Sequence, residues 1–278
     1  MHERVTIDID DGVADVRLDR GEKMNAMDGP MFAALVEAAD HLAGQESVRA
    51  VVLSGNGPSF CAGLDFSGFQ AMAGDGGSTD GDGSDGGTAD IGRLEEGRIT
   101  HRAQQAVWGW HELAVPVIAA VHGVAFGAGI QLAIGADIRL VHPEARMSVL
   151  EIRWGLTPDM TATQLLPALV GPDVAKEMVW TGREVSGVEA AAIGLATRVC
   201  DEPHADAMAL ARIIATKSPH AVRGAKHLID LAAATDYATG FSEERRVIGS
   251  LIGTPNQVES VQAYFEKRDP VYRDVDSS

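Results

Sequence analysis

The sequence predicts an α/β protein followed by a helical C-terminal region, and three observations lead to this prediction. Apolar and polar residues alternate near the N-terminus, as they do in half-buried strands. Short apolar runs then alternate with helical stripes as far as about residue 160. Beyond Thr161 nearly every segment has helical periodicity. A chain of 278 residues, of which 45% are hydrophobic and 23% are charged, can bury a core of this kind without disulfides or metals.

The first elements are predicted to be a hairpin, a helix and a buried strand. VTIDI and VADVRLD alternate as strands do, and the turn Asp11-Gly12 separates them. Asp28 and Pro30 are signals for the start of a helix. Residues 48–53 then form a short β-rich run with little alternation, which is typical of a strand buried on both faces. The apolar stripe of the helix consists of Met31, Phe32, Leu35, Val36, Ala39 and Leu42.

Residues 74–90 are predicted to form a flexible loop. They contain seven Gly and five Asp and no side chain that could anchor in a core. A calcium site is the alternative, because Asp80, Asp82 and Ser84 have the spacing that begins an EF-hand loop. Asp85 stands where that loop needs Gly, and Ile91 stands where it needs Glu, so the calcium reading is disfavoured.

The remaining elements are predicted to be helices joined by a few strands. A helix over Arg93–Glu112 carries Trp108 and Trp110, and the strand VPVIAAV follows it. A glycine-rich turn, a helix at 130–134 and a strand at 138–141 come next. The later helices are predicted over 164–170, 174–180, 189–193, 205–216, 221–233 and 257–265.

The charge balance argues against polyanionic partners. Lys and Arg number 23 and Asp and Glu number 40, so the formal net charge is −17. Such a surface repels nucleic-acid backbones and anionic lipids, although a few local donors can still hold an anionic cofactor. We therefore expect neither nucleic acid nor a membrane as a partner.

The cysteines and the apolar segments predict a cytoplasmic protein. Cys61 and Cys200 lie far apart and have no metal-binding spacing, which favours two free thiols in a reducing compartment. The N-terminus lacks the apolar region of a signal peptide. Residues 113–136 carry no charge and could span a bilayer, but Pro116 and acidic flanks favour a buried strand and helix instead.

Four segments, in their order and at their separations, resemble the crotonase (enoyl-CoA hydratase/isomerase) superfamily. The resemblance covers nearly the whole chain, including Gly182-Arg183, residues 194–199 and the ending 265–268. Signatures of dinucleotide, phosphate-loop, hydrolase-elbow and zinc sites are missing. The four segments are Met24-Asn25-Ala26, SFCAGLD at 59–65, HGVAFGAG at 122–129 and EIRWGLTPD at 151–159.

The resemblance implies the architecture, the assembly and the ligand. It implies a crotonase spiral of strand–strand–helix units over residues 1–200 and a helical oligomerisation region over 201–278, in a trimer or a dimer of trimers. Coenzyme A is then part of an acyl-CoA thioester substrate, with no separate cofactor and no metal. The implied substrate-binding residues are Lys23, Met24, Ala62, Leu64, Asp65, Phe66, Ser67, Ala128, Gln131 and, from the same or a neighbouring subunit, Tyr264 and Lys267. Solvated surface lysines are the alternative for Lys23 and Lys267.

An enolate formed from a thioester needs two preorganised N–H donors in a water-poor site. One donor should follow the strand before Ala62-Gly63, and the other should lie at the glycine-rich start of a helix. The resemblance assigns these donors to Leu64 and Ala128. The family commonly has Gly where this chain has Ala128, and alanine would be strained at positive φ. Close helix–strand packing is the alternative role of the glycine-rich run.

Glu151 is the best acid–base candidate, because its apolar neighbours should desolvate the carboxylate and raise its pKa. An ion pair with Arg153 is the alternative. Family hydratases carry a second Glu where this chain has Gln131, which can position water but carries no proton. Asp159 resembles the second proton-transfer group of dienoyl-CoA isomerases, or it serves as a helix N-cap. His122 is expected to be a hydrogen-bonded core residue.

The expected activity is that of an enoyl-CoA hydratase/isomerase, with isomerisation favoured because it needs only one base. The alternatives are a 2-enoyl-CoA hydratase and a catalytically idle acyl-CoA-binding homologue. The retained acids Glu151 and Asp159 argue against the idle homologue, and the net charge argues against an RNA-binding role.

Overall fold

The computed structural model describes residues 3–65 and 94–275, and the strands in these ranges form two sheets. The larger sheet has six strands in the order β1-β2-β3-β4-β6-β9, parallel except for the β1–β2 hairpin. The smaller sheet has the order β5-β7-β8. The strands are β1 (Val5–Asp10), β2 (Val13–Leu18), β3 (Ala50–Gly55), β4 (Val117–Val121), β5 (Val124–Phe126), β6 (Ile138–Val141), β7 (Arg146–Ser148), β8 (Val185–Ser186) and β9 (Arg198–Val199).

Helices follow these strands and dominate the C-terminal part. Four of the described helices have an N-cap side chain that accepts from a backbone amide. In α1, as the sequence signal predicts, this side chain is Asp28, which accepts from the Met31 amide at 2.9 Å. The helices are α1 (Gly29–Ala43), α2 (Arg102–Glu112), α3 (Ala128–Ile134), α4 (Ala162–Val170), α5 (Pro172–Thr181), α6 (Gly187–Ala192), α7 (Pro203–Ala215), α8 (Pro219–Ala232), α9 (Tyr237–Leu251) and α10 (Pro255–Glu266). The predicted α/β class is confirmed.

The two faces of the larger sheet bury different sets of helices. Helix α1 packs against α2 over one face, where Leu35 and Trp110 are fully buried. Helix α7 covers the other face with Ala207, Ala211 and Ala215, spaced four residues apart along one side. Because both faces are covered, β3 is buried from Ala50 to Ser54, as predicted for this run.

The predictions for two helices are wrong. The helix predicted from Arg93 begins only at Arg102, after Gly97 at φ +72 and after a capping box formed by His101 and Gln104. Helix α9 was not predicted from the sequence; its apolar residues Tyr237, Phe241 and Ile248 are exposed, and Val247 is its one buried residue. The predicted loop at 74–90, with its calcium alternative, lies outside the described residues.

The uncharged run at 113–136 folds as buried secondary structure. It contains β4, β5 and α3, and every residue of β4 and α3 is buried. In the part of the chain that the structure describes, no helix has both the length and the apolar character needed to cross a bilayer. The domain boundary near residue 200 and the oligomerising role of the region beyond it stay predictions.

Candidate functional site

The segment around Leu64 pairs with the segment around Met27 as a short parallel bridge. The Met27 amide donates to Gly63 O at 2.7 Å, and the Asp65 amide donates to Met27 O at 2.9 Å. Successive amides alternate in direction along such a segment, so the Leu64 N–H points away from Met27. It donates to no acceptor of the described residues, which leaves it available to a ligand.

The start of α3 presents a second amide. Gly127 adopts φ +51 and ψ −115, a conformation that side chains rarely tolerate, and Ala128 is the first helical residue. The strain that Ala128 would suffer at positive φ therefore does not arise. An amide in the first helical turn has no intrahelical acceptor. The Ala128 N–H has no other acceptor in residues 3–65 and 94–275.

Two glycines let these segments approach each other. A Cβ on Gly63 would lie 2.7 Å from Phe126 O and 3.8 Å from Ala128 N, and a Cβ on Gly129 would lie 2.2 Å from Cys61 O. The close packing that was the alternative role of the glycine run therefore applies to Gly129. The Ala128 amide and the amide that follows Gly63 are carried by adjacent backbone segments.

Glu151 lies beside the start of α3 at the beginning of a short 3₁₀ helix, Glu151–Trp154. Its Oε1 accepts from Gln131 Nε2 at 2.7 Å, and a Cβ on Gly127 would lie 3.5 Å from the same oxygen. Its Oε2 is buried and has no partner among the described residues. The carboxylate therefore has one fixed oxygen and one oxygen that is available for proton transfer.

The surroundings shift the acidity of Glu151 in the expected direction. Burial raises the pKa of the carboxyl group, its own backbone amide and Gln131 lower it by hydrogen bonding, and the charge of Asp159 raises it further; the result is a raised pKa. The alternative ion pair with Arg153 is wrong, because Arg153 lies 3.9 Å from Glu184 and 3.5 Å from Gly182 O.

Gln131 is wholly buried, and both ends of its side-chain amide are engaged. Its Oε1 accepts from Met160 N at 2.9 Å and from Ala162 N at 3.2 Å, while its Nε2 donates to Glu151. Two backbone donors fix which end of the amide is oxygen. Both lone pairs of that oxygen are occupied, so Gln131 cannot accept a proton or a hydrogen bond from water.

Asp159 is exposed, and it acts on Glu151 through its charge. The alternative role of Asp159 as an N-cap is wrong, because Thr161 is the N-cap of α4. Thr161 adopts φ +83, a strained conformation for a β-branched residue, between the two amides that donate to Gln131. Its hydroxyl is buried without a partner in the described chain.

The other predicted binding residues fall into three groups. Met24 O accepts from the Ala62 amide at 2.9 Å, so the first two motifs are in contact, and Lys23 beside them is exposed. Tyr264 and Lys267 are exposed at the end of α10, and no described hydrogen bond or ion pair joins either side chain to the site. Phe66 and Ser67 lie outside the described residues.

Sequence reasoning missed two residues that hold the site together. Asn25 is fully buried and donates to Ser59 O at 2.8 Å and to Phe60 O at 3.1 Å, and Arg20 forms an ion pair with Asp65. Asn25 lies in the Met24-Asn25-Ala26 motif, and its place in that motif is the sequence signal that could have identified it. His122 is half-buried and contacts Gly57 O through Nε2 at 3.0 Å, so its hydrogen bond is confirmed and its core position is not.

Comparisons with known proteins agree with this architecture. The profile of the family described as enoyl-CoA hydratase/isomerase matches residues 8–275. The human enoyl-CoA hydratase domain-containing protein 2, mitochondrial, is 30% identical over 95% of this chain and 86% of its own. Human methylglutaconyl-CoA hydratase, mitochondrial, is 29% identical over 94% of this chain and 74% of its own. The crystal structure of an enoyl-CoA hydratase from Mycobacterium smegmatis superimposes with a TM-score of 0.81 at 32% identity, covering 96% of this chain and 98% of that one.

Proposed function

The chain belongs to the enoyl-CoA hydratase/isomerase family, and from that premise we propose that it moves a double bond of an enoyl-CoA thioester through an enolate intermediate. One observation carries the proposal: Gln131 fixes one oxygen of Glu151, while the other oxygen is buried beside the start of α3 without a partner. A single base of raised pKa that keeps one available oxygen suits a reaction in which one group removes a proton and returns it.

The amides of Leu64 and Ala128 form the proposed oxyanion hole. Neither donates to an acceptor of the described residues, and Gly63 brings their two segments together. N–H donors that are already oriented stabilise the thioester oxygen as negative charge develops on it, with no reorganisation during the reaction. The dipole of α3 adds a favourable field at Ala128, although the helix is short.

The proposed reaction conserves every proton. Glu151 Oε2 removes a proton from C2 of a 3-enoyl-CoA, and the electron pair of that C–H bond moves toward the thioester oxygen. The resulting dienolate is held by Leu64 and Ala128. The protonated Glu151 then delivers the same proton to C4, the C2–C3 double bond forms, and the carboxylate is restored. No group other than Glu151 needs to carry a proton.

Hydration of a 2-enoyl-CoA is the second candidate, supported by the names of the relatives. Hydration needs a group that activates water in addition to the group that protonates the α carbon. Gln131 cannot supply that base, since both lone pairs of its oxygen accept from Met160 and Ala162. We therefore propose that isomerisation is faster than hydration. An idle acyl-CoA-binding homologue is disfavoured by the raised pKa of Glu151.

The substrate is proposed to lie along two segments of the chain. The coenzyme A part would follow Lys23 and Met24 and then residues 62–67, and Met24 is 47% exposed despite its apolar side chain. A neighbouring subunit would contribute Tyr264 or Lys267 to the adenine and the 3′-phosphate. Coenzyme A enters as part of the substrate, and no separate cofactor or metal is proposed.

A cytoplasmic location is proposed from the two free cysteines, of which Cys61 is buried with its pKa raised to about 12.

A homotrimer or a dimer of trimers is the proposed assembly. The C-terminal helices expose large apolar side chains that an isolated chain would leave in water. These exposed apolar side chains include Tyr237, Phe241, Ile248, Ile252, Tyr264 and Phe265.

A panel of thioesters tests the proposed function. The purified protein is incubated with 2-enoyl-, 3-enoyl- and dienoyl-CoA substrates of several chain lengths, and hydration and isomerisation are followed separately by chromatography. The proposal predicts conversion of 3-enoyl-CoA that is faster than hydration of crotonyl-CoA. Hydration at ordinary enzymatic turnover, without isomerisation, would favour the hydratase instead. Thioester binding without turnover would favour the idle homologue.

A further inference from the structure

Arg20 connects the turn after β2 with the segment that carries Leu64. Its Nη1 lies 2.5 Å from Asp65 Oδ2 and donates to Ala26 O at 2.9 Å. The side chains of Arg20 and Asp65 are 11% and 14% exposed, so this ion pair is largely removed from water. A second carboxylate, that of Asp28, lies 3.4 Å from Arg20 Nη2.

The ion pair acts directly beside the Leu64 amide. Leu64 lies between Gly63, whose carbonyl accepts from the Met27 amide, and Asp65, whose amide donates to the Met27 carbonyl. Those two bonds and the Ala62 amide, which donates to Met24 O at 2.9 Å, hold the segment through its backbone as far as Asp65. The charge-assisted contact of the Asp65 side chain supplies a further attachment on the C-terminal side of Leu64.

Stability alone is a weak reason for such a pair. Two largely buried charges lose their hydration, and apolar replacements of similar volume are often equally stable or more stable. A pair of this kind is better explained when its geometry serves a purpose. The purpose available here is the direction of the Leu64 N–H, because that amide has no acceptor of its own in the described residues to fix it.

We infer that Arg20 is a positioning residue, which through its ion pair with Asp65 holds the Leu64 amide in the direction that an oxyanion donor requires. The inference rests on the proposed function for its catalytic consequence, although the effect on the backbone is independent of it. Arg20 touches neither the substrate nor the reacting atoms. The Asp65 side chain binds Arg20, so a contact of this residue with coenzyme A would be made by its backbone.

The test compares Arg20→Met and Asp65→Asn with the control Arg4→Met. Arg4 Nη2 pairs with Asp28 at 2.9 Å, so its removal takes a similar charge from the same ion cluster without touching Asp65. Amide hydrogen exchange of residues 62–65 is measured by mass spectrometry with residue-level fragmentation. Isomerisation of a 3-enoyl-CoA is measured in parallel as separate kcat and KM values.

Both Arg20→Met and Asp65→Asn should speed exchange at Ala62 and Asp65 by about tenfold or more and lower kcat by about 10- to 100-fold, less than the full loss of an oxyanion donor. KM should change by less than about threefold, because ground-state binding is retained. The double variant should lose about as much as either single variant, since the two residues act as a unit. Arg4→Met should change neither readout.

Three outcomes would overturn the inference: unchanged exchange in both variants, unchanged kcat in an active protein, or equal effects of Arg4→Met. Faster exchange in a protein whose wild type does not isomerise would reject the proposed function and retain the positioning role. Arg20→Lys keeps the charge and loses the second donor, so an intermediate kcat is expected of it. That variant keeps the test decisive if the neutral variants do not fold.

Discussion

Gln131 and Glu151 form a hydrogen bond of 2.7 Å between the side-chain Nε2 of the first and Oε1 of the second. Because Met160 and Ala162 hold the oxygen of the same amide, the position of the carboxylate is tied to the backbone ahead of α4. The proposed base is therefore oriented by a neighbour that cannot exchange protons with it.

Glu151→Gln should lower isomerase turnover by about 10²–10⁴, which is the usual contribution of a positioned acid–base group. Glutamine keeps the shape and can still accept from Gln131, so the fold should be preserved. The kcat for 3-enoyl-CoA is compared with that of Glu144→Gln, an exposed glutamate in the loop after β6. An unchanged kcat would move the chemistry to another group, with Asp159 as the first to test.

The same Glu151→Gln variant should be more stable than the wild type at neutral pH. The pKa of Glu151 is raised in the folded protein, so the folded state binds the proton more tightly than the unfolded chain does. The contribution of Glu151 to the free energy of unfolding is fully present at pH values below its pKa in the unfolded chain. This contribution is lost as the pH rises through the higher pKa of the folded protein. Thermal unfolding at several pH values should show an advantage for the variant at pH 7–8 that disappears near pH 4; an advantage that does not vary with pH would contradict the raised pKa.

Gln131→Glu should increase hydration of crotonyl-CoA relative to isomerisation, because it adds a second proton carrier. It also places two carboxyl groups at hydrogen-bond distance, where they share a proton and raise the pKa of Glu151. The acid limb of kcat/KM for isomerisation should therefore move to higher pH. Gln131→Met, which carries neither charge nor donor, is the matched control. A wild type that already hydrates crotonyl-CoA at ordinary turnover would show that the Gln131 argument is wrong.

Asp159→Asn should extend isomerase activity to lower pH. The charge of Asp159 raises the pKa of Glu151, so its removal lowers that pKa and keeps the base ionised in more acidic solution. The kcat at neutral pH should stay within about tenfold, since Glu151 alone shuttles the proton. A loss of about 10²–10⁴ at every pH would instead identify Asp159 as a second proton carrier.

Gly129→Ala should destabilise the protein by about 1–3 kcal/mol and lower its activity, because the added Cβ would lie 2.2 Å from Cys61 O and push the two amide-bearing segments apart. Gly44→Ala is the control. Gly44 ends α1 at φ −86, and its nearest potential neighbour is His41 O at 3.6 Å. Denaturant unfolding should distinguish the two variants, and equal stabilities would contradict the close approach of the segments.

The local elements of this protein could be predicted from the sequence where a local cause produces them. The β1–β2 hairpin follows from alternation around Asp11-Gly12, and the start of α1 follows from Asp28 as its cap. The direction of the Glu151 pKa shift was predicted correctly, but its main cause is burial beside the start of α3, since Ile152 and Trp154 that follow it along the chain are exposed. The start of α2 and the existence of α9 were not predicted, although each has a local start signal: the capping box of His101 and Gln104 for α2 and the N-cap Asp236 for α9.

The contacts between distant segments were decided only by the tertiary structure. The sequence determined which chemistry Glu151, Gln131, Leu64 and the glycine run can perform. It did not determine that Gln131 uses both lone pairs on the backbone before α4, or that Arg20 pairs with Asp65 across 45 residues of chain. Such contacts depend on how whole elements pack, because hydrogen bonds and ion pairs act over a few ångströms and the residues that form them come together only when the sheet and its helices are assembled.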